Sequence, residues 1–195
     1  MEHYEYYPFV NMGHFALYEH VNESFQDTLA GYYRNSIKYT MQRARKNPYE
    51  IGVPFIWCSN NLLTGLITKI ILYQRMTGDN HYEDFLHKQR DWLFGRNPWG
   101  TSMFTGIPEN GEYPLDVHTS IWALTHREVA GGLVDGPVYR TIYSSLKGIQ
   151  LSNPDEFAPF QNDYVVYHDD IGDYSTNEPT MDGTAGSILM MAYWA

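Results

Sequence analysis

The sequence predicts an all-α fold, and three observations carry that prediction. Apolar residues recur every three or four positions through most of the first half, the spacing that gathers them on one helix face. Proline, glycine and small polar residues fall where such helices would start and stop. No strand-rich region, linker or internal repeat breaks the pattern.

Taken in order, Phe25, Leu29, Tyr32, Tyr33, Ser36, Ile37, Thr40 and Met41 form one apolar stripe, with Arg34, Lys38, Arg43 and Arg45 mostly opposite. Asn47-Pro48 ends this helix, because the residue before a proline avoids the helical region. Ser59 is a suitable N-cap for a second helix through Leu62, Leu63, Leu66, Ile67, Ile70 and Tyr73, and Gly78 stands where a left-handed residue closes it. Asp79 is then the expected cap of a third helix carrying Tyr82, Phe85, Leu86, Gln89 and Trp92, closed by Gly95. Short connections make these helices antiparallel neighbours. Residues 96–120 hold several Gly and Pro and read as a long loop, with Trp99, Phe104 and Tyr113 arguing against disorder. Val138–Ile149 is expected to be a short helix and Gln150–Thr180 a second loop. Asp182, with Thr180 just upstream, is the expected cap of a last apolar helix. The reading is one all-α unit, residues 1–195, whose loops carry the chemistry.

Composition removes several classes of function. The chain has 23 acidic and 13 basic residues, a formal charge of −10, so it lacks the basic surface that nucleic acid requires. The apolar run Leu62–Tyr73 is short and interrupted by Thr64, Gly65, Thr68 and Lys69, so no membrane span is expected. Cys58 is the only cysteine, which rules out an intrachain disulfide. The acidic, tyrosine-rich stretch Met1–Val10 does not have the pattern of a signal peptide.

The stretch Tyr167–Pro179 is the densest in chemistry, with Asp169, Asp170, Asp173 and Glu178 beside Tyr167 and Tyr174. Carboxylates crowded against aromatic rings hold a cation, a proton or a sugar, or else cap a solvated loop. A carboxyl group kept protonated by such neighbours can protonate a glycosidic oxygen, and Glu178 is the candidate for that task. Clustered oxygens also suit calcium, although the spacing is not that of an EF-hand. His14, His20, His81, His87 and His126 show no metal-ligand spacing.

Several blocks occur in one order: Gly13-His14, Gly52–Trp57, Trp92-Leu93-Phe94-Gly95-Arg96-Asn97-Pro98, Pro114–His118 and Asp173-Tyr174-Ser175-Thr176-Asn177-Glu178. This set resembles the C-terminal part of the catalytic domain of glycoside hydrolase family nine, which contains inverting cellulases and related β-glucanases. The resemblance implies part of an (α/α)6 barrel of helical hairpins and a β-1,4-glucan or oligosaccharide substrate. It makes Glu178 the general acid and gives His118, Tyr174, Asp173, Asn177 and Trp99 to substrate binding. Asp169, Asp170 and Asp173 would orient Glu178, bind a sugar hydroxyl or shape the loop. Where the family commonly follows this histidine with His-Arg, the chain has Thr119-Ser120, so the usual arginine contact is lost. The family's general base lies in an Asp-Ala-Gly-Asp motif, which these residues do not contain. The resemblance thus implies a missing N-terminal half that carries the base, no required cofactor, and a secreted or periplasmic parent. The competing reading is a non-catalytic helical module that binds carbohydrate or serves as a scaffold.

Overall fold

The computed structural model describes residues 8–195, with side chains from Met12 onward; the reading of Met1–Tyr7 lies outside them. The described chain divides into two compact units, 8–53 with 62–90 and 188–195, and 54–61 with 91–187. No helix among the described residues is long and apolar enough to cross a membrane.

The first unit is built on helices. α1 (Pro8–Tyr18) was not legible as a helix. α2 (Glu23–Ala44) is capped by Asn22, whose side chain accepts from the Phe25 N–H, and it buries Leu29, Tyr33, Ser36, Ile37 and Thr40. Phe25, at the end of the predicted stripe, is 45% exposed. α3 (Ser59–Thr77) ends at Gly78, where φ is +70°. Lys69 Nζ donates to Ser36 Oγ (2.7 Å) and Arg34 Nε to the Tyr73 hydroxyl (3.1 Å). The later residue of α3 thus meets the earlier one of α2, so the two run antiparallel. α4 (Glu83–Leu93) uses Gln89 to hold the 50–52 turn, accepting from Gly52 N–H and donating to the Glu50 carbonyl, both at 2.9 Å.

Three expected caps are placed differently. Asp79 precedes α4 by several residues; its carboxylate accepts from the His81 N–H (2.9 Å) and the Tyr73 hydroxyl (2.7 Å). Ser59 is already helical, and its hydroxyl donates to the Pro137 carbonyl at 2.7 Å. Asp182 lies in the first turn of the last helix, α7 (Met181–Tyr193), not before it.

The second unit is a loop framework on an aromatic and aliphatic core that includes Phe55, Trp92, Met103, Phe104, Val134 and Tyr167. Of residues 96–120, expected to be a loop, 96–119 form no helix and Ser120 opens the next one. Asn97 spans this loop, its amide donating to the carbonyls of Trp92 (2.9 Å) and Thr101 (2.8 Å). A short helix, α5 (Ser120–Thr125), follows; Thr119 caps it by accepting from the Trp122 N–H. Two pairs of two-residue strands were not anticipated: β1 (Leu133–Val134) pairs antiparallel with β4 (Pro179–Thr180), and β2 (Val138–Tyr139) with β3 (Val165–Val166).

The helix expected over Val138–Ile149 is therefore corrected to strand β2 and a single turn, α6 (Arg140–Tyr143). Val138 is buried in the β2–β3 ladder, and Arg140 extends that ladder by donating its N–H to the Tyr164 carbonyl. Burial against a partner strand outweighs local helical periodicity.

Candidate active site

Glu178 stands directly before β4, and its side chain is exposed. It lines a cavity of about 430 Å³ together with His118, Ser120, Ala123, Ile171 and Pro179. That volume is in the range of small-molecule clefts. The Glu178 main chain is fixed, because its carbonyl accepts from the Asp135 N–H at 2.9 Å.

His118 is held in the same lining by two bonds. Its main-chain N–H donates to the Asn177 carbonyl (2.9 Å), and its Nδ1–H donates to the Ile171 carbonyl (2.5 Å). A carbonyl partner requires the proton on Nδ1, which leaves Nε2 as the ring nitrogen available to a ligand. The ring meets the edge of Tyr174, centroids 6.3 Å apart. Tyr174 is half-buried, and its hydroxyl donates to the Lys147 carbonyl at 2.9 Å. Trp57 stacks on the same tyrosine and is 46% exposed. In the sequence Trp57 is only the last residue of the block Gly52–Trp57, and nothing local to residue 57 signals its neighbour at 174.

The other candidates lie behind this surface. Asn177 is fully buried, accepting from the Tyr167 hydroxyl (3.1 Å) and donating to Asp169 Oδ1 (2.9 Å) and the Asp116 carbonyl (3.1 Å). Trp99, 5% exposed, packs its ring on Tyr167 and Trp92. Asp173 is fully buried and accepts from Ser175 N–H, Thr176 N–H, the Thr176 hydroxyl and His168 Nδ1. The structure thus brings Glu178 and His118 to one cavity, sets Tyr174 against the His118 ring, and buries Asp173, Asn177 and Trp99.

The remaining acidic residues of the loop are also committed to main-chain donors. Asp170 accepts from the N–H groups of Ser152, Asn153 and Gly172. Asp169 accepts from those of Leu115 (2.6 Å) and Asp116 (3.0 Å). Burial pushes the Asp169 carboxyl up to about 6, against the lowering effect of these bonds. Among the described residues no group of three or more His, Cys, Asp or Glu is arranged to hold a metal ion.

An exposed carboxyl group on a fixed main chain, lining one cavity with a histidine, can deliver a proton to a ligand in that cavity. Among the solved structures that resemble the chain, three are representative. GH family 9 endoglucanase J30 matches over 94% of this chain and 34% of its own, at 25% identity and TM-score 0.72. A metagenome-derived glycoside hydrolase family 9 endoglucanase matches over 94% and 32%, at 20% identity and TM-score 0.71. AaCel9A in complex with cellobiose-like isofagomine matches over 89% and 32%, at 22% identity and TM-score 0.67. The last two likenesses concern the fold alone, which is all-α and corresponds to part of an (α/α)6 barrel. The chain spans about a third of the length of these structures. No curated protein matches it. The family model described as glycosyl hydrolase family 9 matches residues 3–191. On that match, which takes in nearly the whole sequence, the chain belongs to glycosyl hydrolase family 9.

Proposed function

We propose that the chain is the acid-bearing part of an endoglucanase-like glycoside hydrolase that cleaves β-1,4-glucosidic bonds in glucans such as cellulose, with inversion. The observation that carries this reading is Glu178, an exposed carboxyl lining one cleft with His118, whose ring in turn meets Tyr174 of the Trp57–Tyr174 stack. Glucose rings present flat C–H faces that stack on such aromatics, and His118 Nε2 is free for a sugar hydroxyl. Glu178 gives its proton to the glycosidic oxygen as the bond to the anomeric carbon breaks. Water attacks that carbon from the opposite face, activated by a carboxylate roughly 6.5–9.5 Å from the acid. Asp169, Asp170 and Asp173 are bound to loop donors, which supports a base outside these residues.

The test is Glu178→Gln in the full-length enzyme. The amide keeps the shape and removes the proton, so glucan turnover should fall by roughly 10²–10⁴-fold. A nitrophenyl glycoside, whose leaving group departs with little help, should lose far less. Equal losses on both substrates, or undiminished glucan hydrolysis, would exclude Glu178 as the acid. Retained glucan binding with no hydrolysis in the unmutated enzyme would favour the non-catalytic carbohydrate-binding reading.

A further inference from the structure

Behind Glu178 lies a buried carboxyl group to which the hydrolytic reading gives no task. Asp135 follows β1 and is 4% exposed. Its N–H donates to the Glu178 carbonyl (2.9 Å), and the Gly136 N–H donates to the Thr176 carbonyl (3.0 Å). The start of α3 closes on the other side of the same turn. Asn60 donates its N–H to the Asp135 carbonyl and its side-chain amide to the Val134 carbonyl, both at 2.9 Å. The Cys58 thiol donates to the Asp135 carboxyl group. The packing is tight: a Cβ on Gly136, where φ is +88°, would stand 2.3 Å from the Asn60 side chain.

Two buried oxygens in this layer have no partner, Asp135 Oδ1 and Asn60 Oδ1. Both are acceptors when Asp135 is ionised, and a charged oxygen left unpaired away from water is strongly disfavoured. A proton on Asp135 supplies a donor to a place that otherwise holds acceptors. Burial accordingly pushes the Asp135 carboxyl up to about 7, opposed by the thiol bond from Cys58 and reinforced by the charges of Glu178, Asp182 and Asp173. Cys58, Glu178, Asp182 and Asp173 are the titratable groups that act on it most strongly.

We propose that Asp135, with its carboxyl neutral and held by Cys58, is a positioning residue for Glu178, locking the start of α3 to the strand that carries the Glu178 main chain. The proposal takes Glu178 as the acid from the reading above, while the lock itself is a property of the chain alone. Ionisation of Asp135 loosens the lock, and the main chain at Glu178 moves with it.

The experiment is a pH titration of the isotope-labelled chain by nuclear magnetic resonance, following the Asp135 carboxyl carbon and the Glu178 amide. Both should inflect near pH 7. In Asp135→Asn, which stays neutral, the Glu178 amide should keep its low-pH position and show no inflection. In Cys58→Ala, loss of the thiol bond should move both inflections to higher pH. Asp135→Ala should displace the Glu178 amide at every pH; if that variant does not fold, the asparagine variant decides alone. Titration of Asp135 in the ordinary range near 4, or a Glu178 amide indifferent to Asp135, would overturn the proposal. So would equal displacement by Asn and Ala, which marks a filler and not a lock. Failure of Glu178→Gln to impair the full-length enzyme would instead refute the hydrolytic reading and leave this titration untouched.

Discussion

The indole of Trp57 lies over the ring of Tyr174, centroids 6.2 Å apart and planes 16° from parallel. Tyr174 is anchored through its hydroxyl to Lys147, so the stack has one fixed and one exposed member. Trp57→Ala in the full-length enzyme should weaken cello-oligosaccharide binding roughly tenfold, about 1.4 kcal/mol, and Trp57→Phe should recover most of it. Calorimetry in the Glu178→Gln background measures binding without turnover. An unchanged affinity would remove Trp57 from the sugar path.

The chain by itself should release little or no reducing sugar from soluble cellulose. Its candidate acid is in place, but Asp169, Asp170 and Asp173 are occupied by loop donors, and water activation needs a free carboxylate. Turnover at an enzyme-like rate would make one of those three the base.

Asp173→Asn should destabilise the chain by about 1–3 kcal/mol. The aspartate accepts from four donors at a fully buried position. An amide offers one oxygen and turns an N–H₂ group toward groups that themselves donate. Chemical denaturation measures the loss, and a variant as stable as the parent would show that the loop holds without this junction.

The stability of the chain should fall as pH rises from about 5 to 7. Asp135 and Asp169 carry carboxyl groups raised to about 7 and about 6, first by burial in each case, above the ordinary value near 3.9. Between those values the folded chain binds more protons than the unfolded one, so their contribution is complete at low pH and lost through 6 and 7. The loss should be on the order of 3 kcal/mol for the two together. Asp135→Asn should flatten the upper part of the curve. Melting temperatures that rise over this interval, or a variant with the same slope, would contradict the assignment.

Much of the first unit could be read from sequence because its signals are local. The stripe that includes Leu29, Tyr33 and Ile37 is buried, and Gly78 ends α3 in the left-handed region. The Glu178 candidate depended on a compact run of carboxylates and on family resemblance. What escaped was decided by distant partners. Val138 became a strand because Val166 lies opposite it, and Trp57 gained a neighbour at Tyr174 that no spacing encodes. Asp79, Ser59 and Asp182 have the chemistry of caps, but each was drawn to another partner, the Tyr73 hydroxyl, the Pro137 carbonyl and the Asn61 amide respectively.

The pairing of β1 with β4 reaches beyond the two residues of each strand. The Asp135 N–H continues it to the carbonyl of Glu178, and Pro179 fixes φ at the next position. None of these restraints involves the carboxyl group of residue 178. The scaffold therefore specifies where a side chain will stand without specifying which one, and only rotation about its own bonds remains free. A position held in this way can accept another reactive group by a single codon change, so new chemistry at this cleft does not require a new fold.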